Sequence, residues 1–156
     1  MDRNISAEEP ATTLPADGPA PSTSRGAVVV SVCTTCKSSD GSVVGPDMFA
    51  AVKAAIGADD ENVTVRPVQC LSVCKRPATV AVSSPDGYTF LFGDLETESG
   101  TAALKSFIRS YQKSDYGLVP WRERADVLRK GMVARVPPAA WSPDDGRAPA
   151  TDARRK

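Results

Sequence analysis

Four cysteines in two close pairs constrain this chain more than any other feature of its sequence. Two residues separate Cys33 from Cys36, and three separate Cys70 from Cys74. The chain contains no histidine, which excludes His-containing zinc sites, Rieske-type clusters and histidine-assisted nucleophilic catalysis. What remains is all-thiolate binding of zinc or of an iron–sulfur cluster, or thiol redox chemistry without a metal.

Composition narrows the class of protein. A chain of 156 residues with 41% hydrophobic residues suits one compact domain with tails. Because 19 basic residues balance 19 acidic ones, nothing favours binding to nucleic acid or to an anionic membrane. The sequence has neither an apolar run that could span a bilayer nor the apolar core of a secretory signal. We therefore expect a cytoplasmic protein, in whose reducing surroundings cysteines bind metal or do redox chemistry.

The domain organisation follows from where large apolar residues are found. Residues 1–26 and 142–156 are poor in them and rich in Pro, Ala, Ser, Thr or charge. Such segments cannot bury enough surface to offset the entropy of ordering, so the sequence predicts disordered tails around one domain over 27–141.

The first half of the domain predicts strand, helix, strand. Residues 27–32 (AVVVSV) are a nearly continuous apolar run, typical of a strand buried on both faces, and the run ends at Cys33. A helix is predicted between Pro46, at its first turn, and Gly57, just past its end. Residues 63–68 (VTVRPV) read as a second strand, and Pro67 indicates an edge position.

The second half predicts a hairpin and two helices. Residues 79–83 and 88–92 are strand-like and flank the turn signal Asp86-Gly87. Helical periodicity follows over residues 99–111, and a last helix is predicted over 120–130, ending at Gly131.

This order of elements predicts an α/β fold of the thioredoxin-like type. Strands joined through a helix pair in parallel with a right-handed crossover, and the hairpin adds an antiparallel pair. The result is a small mixed sheet with helices packed on its faces. Pro77, just before the third strand, falls where that fold often carries a cis-proline.

The predicted sheet brings the two cysteine pairs together. Cys33 and Cys36 follow the first strand, and Cys70 and Cys74 follow the second. Neighbouring parallel strands end at the same edge of a sheet, and a Cys-x3-Cys segment on one helical turn would place both sulfurs on one face. We therefore expect one shared site with these four cysteines as its ligands.

The context of the cysteines favours a [2Fe–2S] cluster, with zinc as the alternative. Zinc knuckles usually have glycine soon after the second cysteine, whereas Lys37 follows Cys36 and Lys75-Arg76 follow Cys74. These three cations would offset the negative charge of a four-thiolate cluster, although they suit an ordinary surface equally well. A dithiol redox centre at Cys33 and Cys36 is the third hypothesis, and it would leave the second pair unexplained.

Five segments of the chain carry a resemblance to a known family: residues 32–36 (VCTTC), 70–77 (CLSVCKRP), 91–95 (LFGDL), 117–122 (GLVPWR) and 134–138 (ARVPP). Through them the chain resembles, over about residues 28–138, a bacterial family of predicted metal-binding proteins related to thioredoxin-like [2Fe–2S] ferredoxins. Members of the family often occur beside cobalamin-biosynthesis genes, which implies a role near corrin or cobalt handling. In the related ferredoxins the first two cysteines are usually farther apart than here, whereas the second pair shares the Cys-x3-Cys form.

These features lead us to expect an electron carrier and not an enzyme. Its partners would be a reductase that supplies one electron and an acceptor oxidoreductase. The rival hypotheses are a zinc- or cobalt-binding accessory protein for metal delivery and a thiol oxidoreductase with Cys33 as nucleophile. The two cysteine pairs would serve one chain or bridge two chains in a homodimer.

One further segment is a candidate for docking a partner. Trp121, Arg122 and Arg124 combine an aromatic residue with two cations. The alternative is that Trp121 packs a helix against the core.

Overall fold

The structure, a computed structural model, describes residues 27–57 and 60–139. The predicted tails, 1–26 and 142–156, and the last two residues of the predicted domain lie outside this range. None of the described helices is long and apolar enough to cross a membrane.

A five-stranded mixed sheet forms the centre of the fold. Its strands are β1 (Val28–Cys33), β2 (Val63–Val68), β3 (Val80–Ser84), β4 (Gly87–Phe92) and β5 (Met132–Val136), in the spatial order β2-β1-β3-β4-β5. β1 is parallel to β2, and the other neighbouring pairs are antiparallel. The parallel pair and the hairpin confirm the predicted α/β class and its thioredoxin-like mixed sheet.

The positions of the strands follow from their sequences. β1 is almost wholly buried because its apolar run lies between two neighbours. β2 forms one edge, so Pro67 removes no hydrogen bond from the sheet interior, as its place in the sequence predicts. In the hairpin, Ser84 pairs with Gly87 and leaves a two-residue turn, Pro85-Asp86.

Three α-helices and two 3-10 turns complete the described part of the chain. The helices are α1 (Gly45–Ile56), α2 (Thr97–Lys113) and α3 (Asp126–Lys130), and the turns are Asp115–Gly117 and Trp121–Glu123. α1 begins and ends as Pro46 and Gly57 predict, whereas α2 extends two residues beyond each end of the predicted helix.

The single helix predicted over 120–130 is wrong. Arg124 and Ala125 have extended backbone angles (ψ of 133° and 149°), which separate the turn Trp121–Glu123 from α3. The break buries Arg124, whose guanidinium donates hydrogen bonds of 3.0 and 2.8 Å to the carbonyl oxygen of Val119. α3 then leads through Gly131 into β5, a strand that the sequence pattern did not predict.

One hydrophobic core lies between the sheet and the three described α-helices. Alternate residues of β1, β3 and β4 point into it and meet the buried faces of the helices. Phe90 and Phe92 contact Phe107 edge to face, each with ring centroids 5.1 Å apart. Because a single cluster joins all three helices to the same strand residues, they cover one face of the sheet, whereas the sequence predicted helices on both faces.

The first residue of α1 lies against the end of β1. A Cβ atom added to Gly45 would come within 2.5 Å of the carbonyl oxygen of Cys33 and of the carbonyl carbon of Thr34. Only glycine permits this approach, so α1 can begin directly beside the first cysteine of the motif.

Replacing Gly45 with alanine tests this close approach. We expect Gly45→Ala to lower the free energy of unfolding by about 3 kcal/mol, because the added methyl group meets backbone that must move. The amide signal of Thr34 should shift in NMR spectra of the same variant. Gly41, which has open space around it and a φ of 85°, provides the control. Gly41→Ala should cost only roughly 1–2 kcal/mol of left-handed strain and leave Thr34 unchanged. Equal losses in both variants would contradict the proposed contact.

Candidate metal centre

The parallel pairing of β1 and β2 places both cysteine pairs at one edge of the sheet. Cys33, the last residue of β1, pairs with Val68, the last residue of β2. Just beyond, the amide of Thr34 donates to the carbonyl oxygen of Val68 at 2.9 Å, and the Thr35 hydroxyl donates to that of Gln69. The chain after Cys33 therefore runs beside the chain that leads to Cys70, as the sequence predicts.

The first pair, Cys33 and Cys36, is buried, with 2% of each residue exposed. The Cys33 sulfur lies 3.7 Å from both the Thr35 hydroxyl and the carbonyl oxygen of Gln69. The Cys36 thiol lies 3.6 Å from the hydroxyl of Thr79, which is itself buried and donates to the carbonyl oxygen of Arg76. Each sulfur of this pair thus has a threonine hydroxyl beside it.

The two buried thiols differ in acidity. Burial raises the pKa of Cys33, but hydrogen bonds from the backbone and hydroxyl of Thr35 and from Cys36 outweigh it, so the pKa is lowered. Burial raises the pKa of Cys36, and the neighbouring Cys33 raises it further. The first proton to leave the pair therefore comes from Cys33.

The second pair, Cys70 and Cys74, is exposed on the loop after β2. This segment is not the helical turn that the spacing suggested. Ser72 has a left-handed backbone (φ 60°), and its amide donates to the Cys70 sulfur at 3.2 Å. A separate turn follows, in which the amide of Arg76 donates to the carbonyl oxygen of Val73. The left-handed Ser72 rules out a continuous helical turn from Cys70 to Cys74, so helical spacing does not relate the two sulfurs.

The four sulfurs do not form a closed site. Among residues 27–57 and 60–139, no three Cys, Asp or Glu side chains lie close enough together to hold a metal ion. Cys74 nevertheless lies near the chain that leaves the first pair, because it shares a surface cleft with the three residues that follow Cys36. Four thiols without histidine are the donor set of a four-cysteine [2Fe–2S] cluster, so the residue types present fit such a group. The cleft is lined by Lys37, Ser38, Ser39, Cys74, Lys75, Pro77, Asp94, Leu95 and Glu96.

Arg76 is not a free positive charge beside the cysteines, as the sequence suggested, because its guanidinium group is engaged in contacts with the fold. Its guanidinium bonds the Asp94 carboxylate at 2.7 Å and donates to the carbonyl oxygens of Lys130 and Met132 at 2.8 and 3.3 Å. It thereby joins the end of the cysteine loop to the segments around β4 and β5. Lys37 and Lys75, both exposed beside the cleft, remain as cations near the site.

The peptide bond next to this loop also differs from expectation. The cis bond joins Pro77 to Ala78, and so follows the proline instead of preceding it.

Two residues of the site, Thr35 and Thr79, had not been identified as functional from the sequence. Thr35 lies inside the Cys-x2-Cys motif, and this position was the available signal. Thr79 is 43 positions from Cys36, and only the pairing of β1 with β3 brings its hydroxyl to the sulfur.

A small loop closed by Asp40 follows Cys36. Lys37 and Val43 form an isolated antiparallel bridge, and the Asp40 carboxylate accepts hydrogen bonds from the hydroxyls of Ser38 and Ser42. The Ser42 amide also donates to it, at 2.9 Å. These hydrogen bonds hold the pKa of Asp40 down to about 2.

The pKa of Asp40 gives a pH prediction for this loop. Because the folded-state pKa is below the unfolded value, the hydrogen bonds are fully present near neutral pH and are lost as the pH falls through about 2. An NMR titration of the side-chain carboxyl carbon should give this low value. In Ser38→Ala it should rise toward the ordinary value of 3.8. An ordinary pKa in the unmodified chain would contradict the hydrogen-bonded loop.

Comparison with solved structures finds similarity to a thioredoxin-like [2Fe–2S] ferredoxin from Aquifex aeolicus. One structure has 18% sequence identity and a TM-score of 0.49, and the match covers 74% of this chain and 99% of that one. The wild-type structure of this ferredoxin at 1.5 Å has 19% sequence identity and a TM-score of 0.47, and the match covers 70% of this chain and 98% of that one. A cysteine-to-serine variant of it has 17% sequence identity and a TM-score of 0.46, and the match covers 69% of this chain and 98% of that one. We draw nothing about the site from likenesses at this level.

Comparison with protein families gives a match over most of the described domain. No curated protein is significantly similar to the chain. A family model described as "Protein of unknown function (DUF1636)" matches residues 30–138, a range that includes all four cysteines. Because this match covers more than half of the sequence, the chain belongs to the DUF1636 family.

Proposed function

We propose that this chain is a ferredoxin-like electron carrier that binds one [2Fe–2S] cluster through Cys33, Cys36, Cys70 and Cys74. One observation carries the proposal. The parallel strands β1 and β2 end side by side, β1 at Cys33 itself and β2 two residues before Cys70, in a chain without histidine. The donor set is then all thiolate, which suits this cluster.

The two pairs would contribute differently to binding. Cys33 and Cys36 already lie together in a buried position, so they would form the fixed half of the site. Cys70 and Cys74 lie on an exposed loop, and ligation by all four requires that this loop bring its sulfurs toward the buried pair. The anchor at Arg76 limits how far the end of the loop can move.

The surrounding residues would tune such a centre. A bound [2Fe–2S] cluster would supply a site that gains and loses one electron. The Thr35 and Thr79 hydroxyls lie beside Cys33 and Cys36 but donate to the carbonyl oxygens of Gln69 and Arg76. On cluster binding, each hydroxyl would have to turn its proton from the carbonyl oxygen to the deprotonated sulfur, which would favour the more negative, reduced state. Lys37 and Lys75 add positive charge at the neighbouring cleft and favour that state as well.

The partners of an electron carrier are proteins. We propose a reductase as the electron donor and an oxidoreductase as the acceptor, in the reducing cytoplasm. The family resemblance is what links the acceptor to cobalamin metabolism.

Thiol oxidoreduction is the second candidate, and the contact between Cys33 and Cys36 favours it. The lowered pKa of Cys33 would make it the attacking thiolate. The two thiols would form a disulfide, giving two electrons and two protons to a partner disulfide that becomes two thiols. Only 2% of Cys33 is exposed, which restricts attack on a large substrate, and Cys70 and Cys74 have no part in this chemistry. We therefore prefer the electron carrier.

Anaerobic purification tests the proposal. We expect brown protein with about two irons and two acid-labile sulfides per chain. Serine at any one of the four cysteine positions should bleach the centre, because each removes a ligand. Ser39→Ala, an exposed change in the same cleft, is the matched control and should keep the full iron content.

Three outcomes would reject the proposal. Colourless protein with stoichiometric zinc would identify a zinc protein with the same ligands. Metal-free protein in which Cys33 and Cys36 cycle between dithiol and disulfide would identify the thiol enzyme. Full colour in the Cys70→Ser and Cys74→Ser variants would show that the second pair does not bind the cluster.

A further inference from the structure

On the side of the fold formed by α3 and β5, the guanidinium groups of three arginines lie near aromatic rings, some of them buried and one, Trp121, exposed. The Arg124 guanidinium carbon lies 5.3 Å from the centre of the Phe90 ring and 5.8 Å from that of Trp121. Arg129 lies 5.7 Å from the same tryptophan ring. Arg135 pairs with Phe90 in the β4–β5 ladder, and its guanidinium carbon lies 5.3 Å from the centre of the Tyr88 ring. We call Trp121, Arg124, Arg129 and Arg135 the arginine–tryptophan surface.

The charge of this surface is not neutralised within the described residues. None of its three guanidinium groups forms an ion pair with a carboxylate in residues 27–57 or 60–139. Asp126, which lies within electrostatic range of Arg129, is bonded to Lys130 at 2.8 Å. Burial lowers the pKa of Arg124, and the positive charge of Arg135 lowers it further, so the two cations are near enough to repel each other. An anion placed here would relieve that repulsion.

The tryptophan at this surface is exposed although it is held in place. Trp121 is 56% exposed, whereas its neighbour Arg124 is 8% exposed. The two guanidinium groups near the indole ring fix its position, and Arg129 is itself held by a 3.0 Å hydrogen bond to the carbonyl oxygen of Arg124. A large apolar ring that is rigid before binding loses little entropy when a partner covers it.

We propose that the arginine–tryptophan surface docks an acidic segment of a partner protein, with carboxylates on Arg129 and Arg135 and an apolar side chain on Trp121. Guanidinium groups stack on aromatic rings while their edges bind carboxylates, and Trp and Arg are the residues most enriched in interface hot spots. This inference does not depend on a metal at the cysteine site.

The chemistry favours a protein segment over other anions. A small anion such as phosphate would leave the exposed indole ring of Trp121 unused. Nucleic acid would need an extended basic surface, whereas the chain has zero formal net charge.

A fluorescence titration tests the docking surface. The full chain is used with Trp141 replaced by phenylalanine, so that the emission reports Trp121 alone. The probe is a synthetic peptide of alternating glutamate and leucine. We expect saturable binding that weakens about tenfold in the double variant Arg129→Gln, Arg135→Gln, which corresponds to about 1.4 kcal/mol. The control Arg109→Gln, Lys113→Gln removes the same charge from exposed positions of α2 and should leave the affinity unchanged.

The same titration is repeated with other ligands that could bind this surface. A lysine–leucine peptide should not bind. Absence of binding by the glutamate–leucine peptide would overturn the proposal, as would equal weakening by the two double variants. Tighter binding of inorganic phosphate than of the peptide would identify a small-anion site. Tighter binding of a short DNA duplex would identify a nucleic-acid surface. Either of these last results would also overturn the proposal.

Discussion

The parallel pairing of β1 with β2 is the constraint on which the candidate site depends. Its register sets Cys33 opposite Val68, so the two loops that carry cysteines leave the sheet side by side. The crossover through α1 makes this pairing possible, and Gly45 lets the helix begin against the backbone of Cys33 and Thr34. A shift of β2 by one residue would turn its apolar side chains away from the core and move the second cysteine pair relative to the first.

The segment between the second cysteine pair and β3 is held by backbone contacts around Arg76. Besides the contacts of its guanidinium, the carbonyl oxygen of Arg76 accepts hydrogen bonds from the Asp94 amide and the Thr79 hydroxyl. Gly93 approaches this carbonyl so closely that an added Cβ would lie 2.7 Å from it. The loop that carries Cys70 and Cys74 thus has a fixed end after Cys74, while the sulfurs themselves are exposed. Such an arrangement restricts the loop and still leaves its sulfurs accessible to a ligand.

Much of the fold was predictable because local signals agree with the tertiary structure. Pro46 and Gly57 mark the ends of α1 that the structure confirms, and the hairpin is confirmed with its turn one residue earlier than predicted, at Pro85-Asp86. β5 was missed because its five residues become a strand only by pairing with β4. The break at Arg124 was missed because burial of its guanidinium against Phe90 and Val119 is a tertiary effect. At the site, sequence order placed the pairs at one sheet edge, but the left-handed Ser72 and the approach of Thr79 to Cys36 depend on long-range contacts and loop geometry.

The central claim is that four thiolates of one chain bind a [2Fe–2S] cluster. X-ray absorption at the iron edge of the anaerobically purified chain tests it most directly. The account predicts iron surrounded by four sulfurs with a second iron as the nearest metal neighbour. Iron bound to nitrogen or oxygen, or sulfur coordination seen only at the zinc edge, would contradict it.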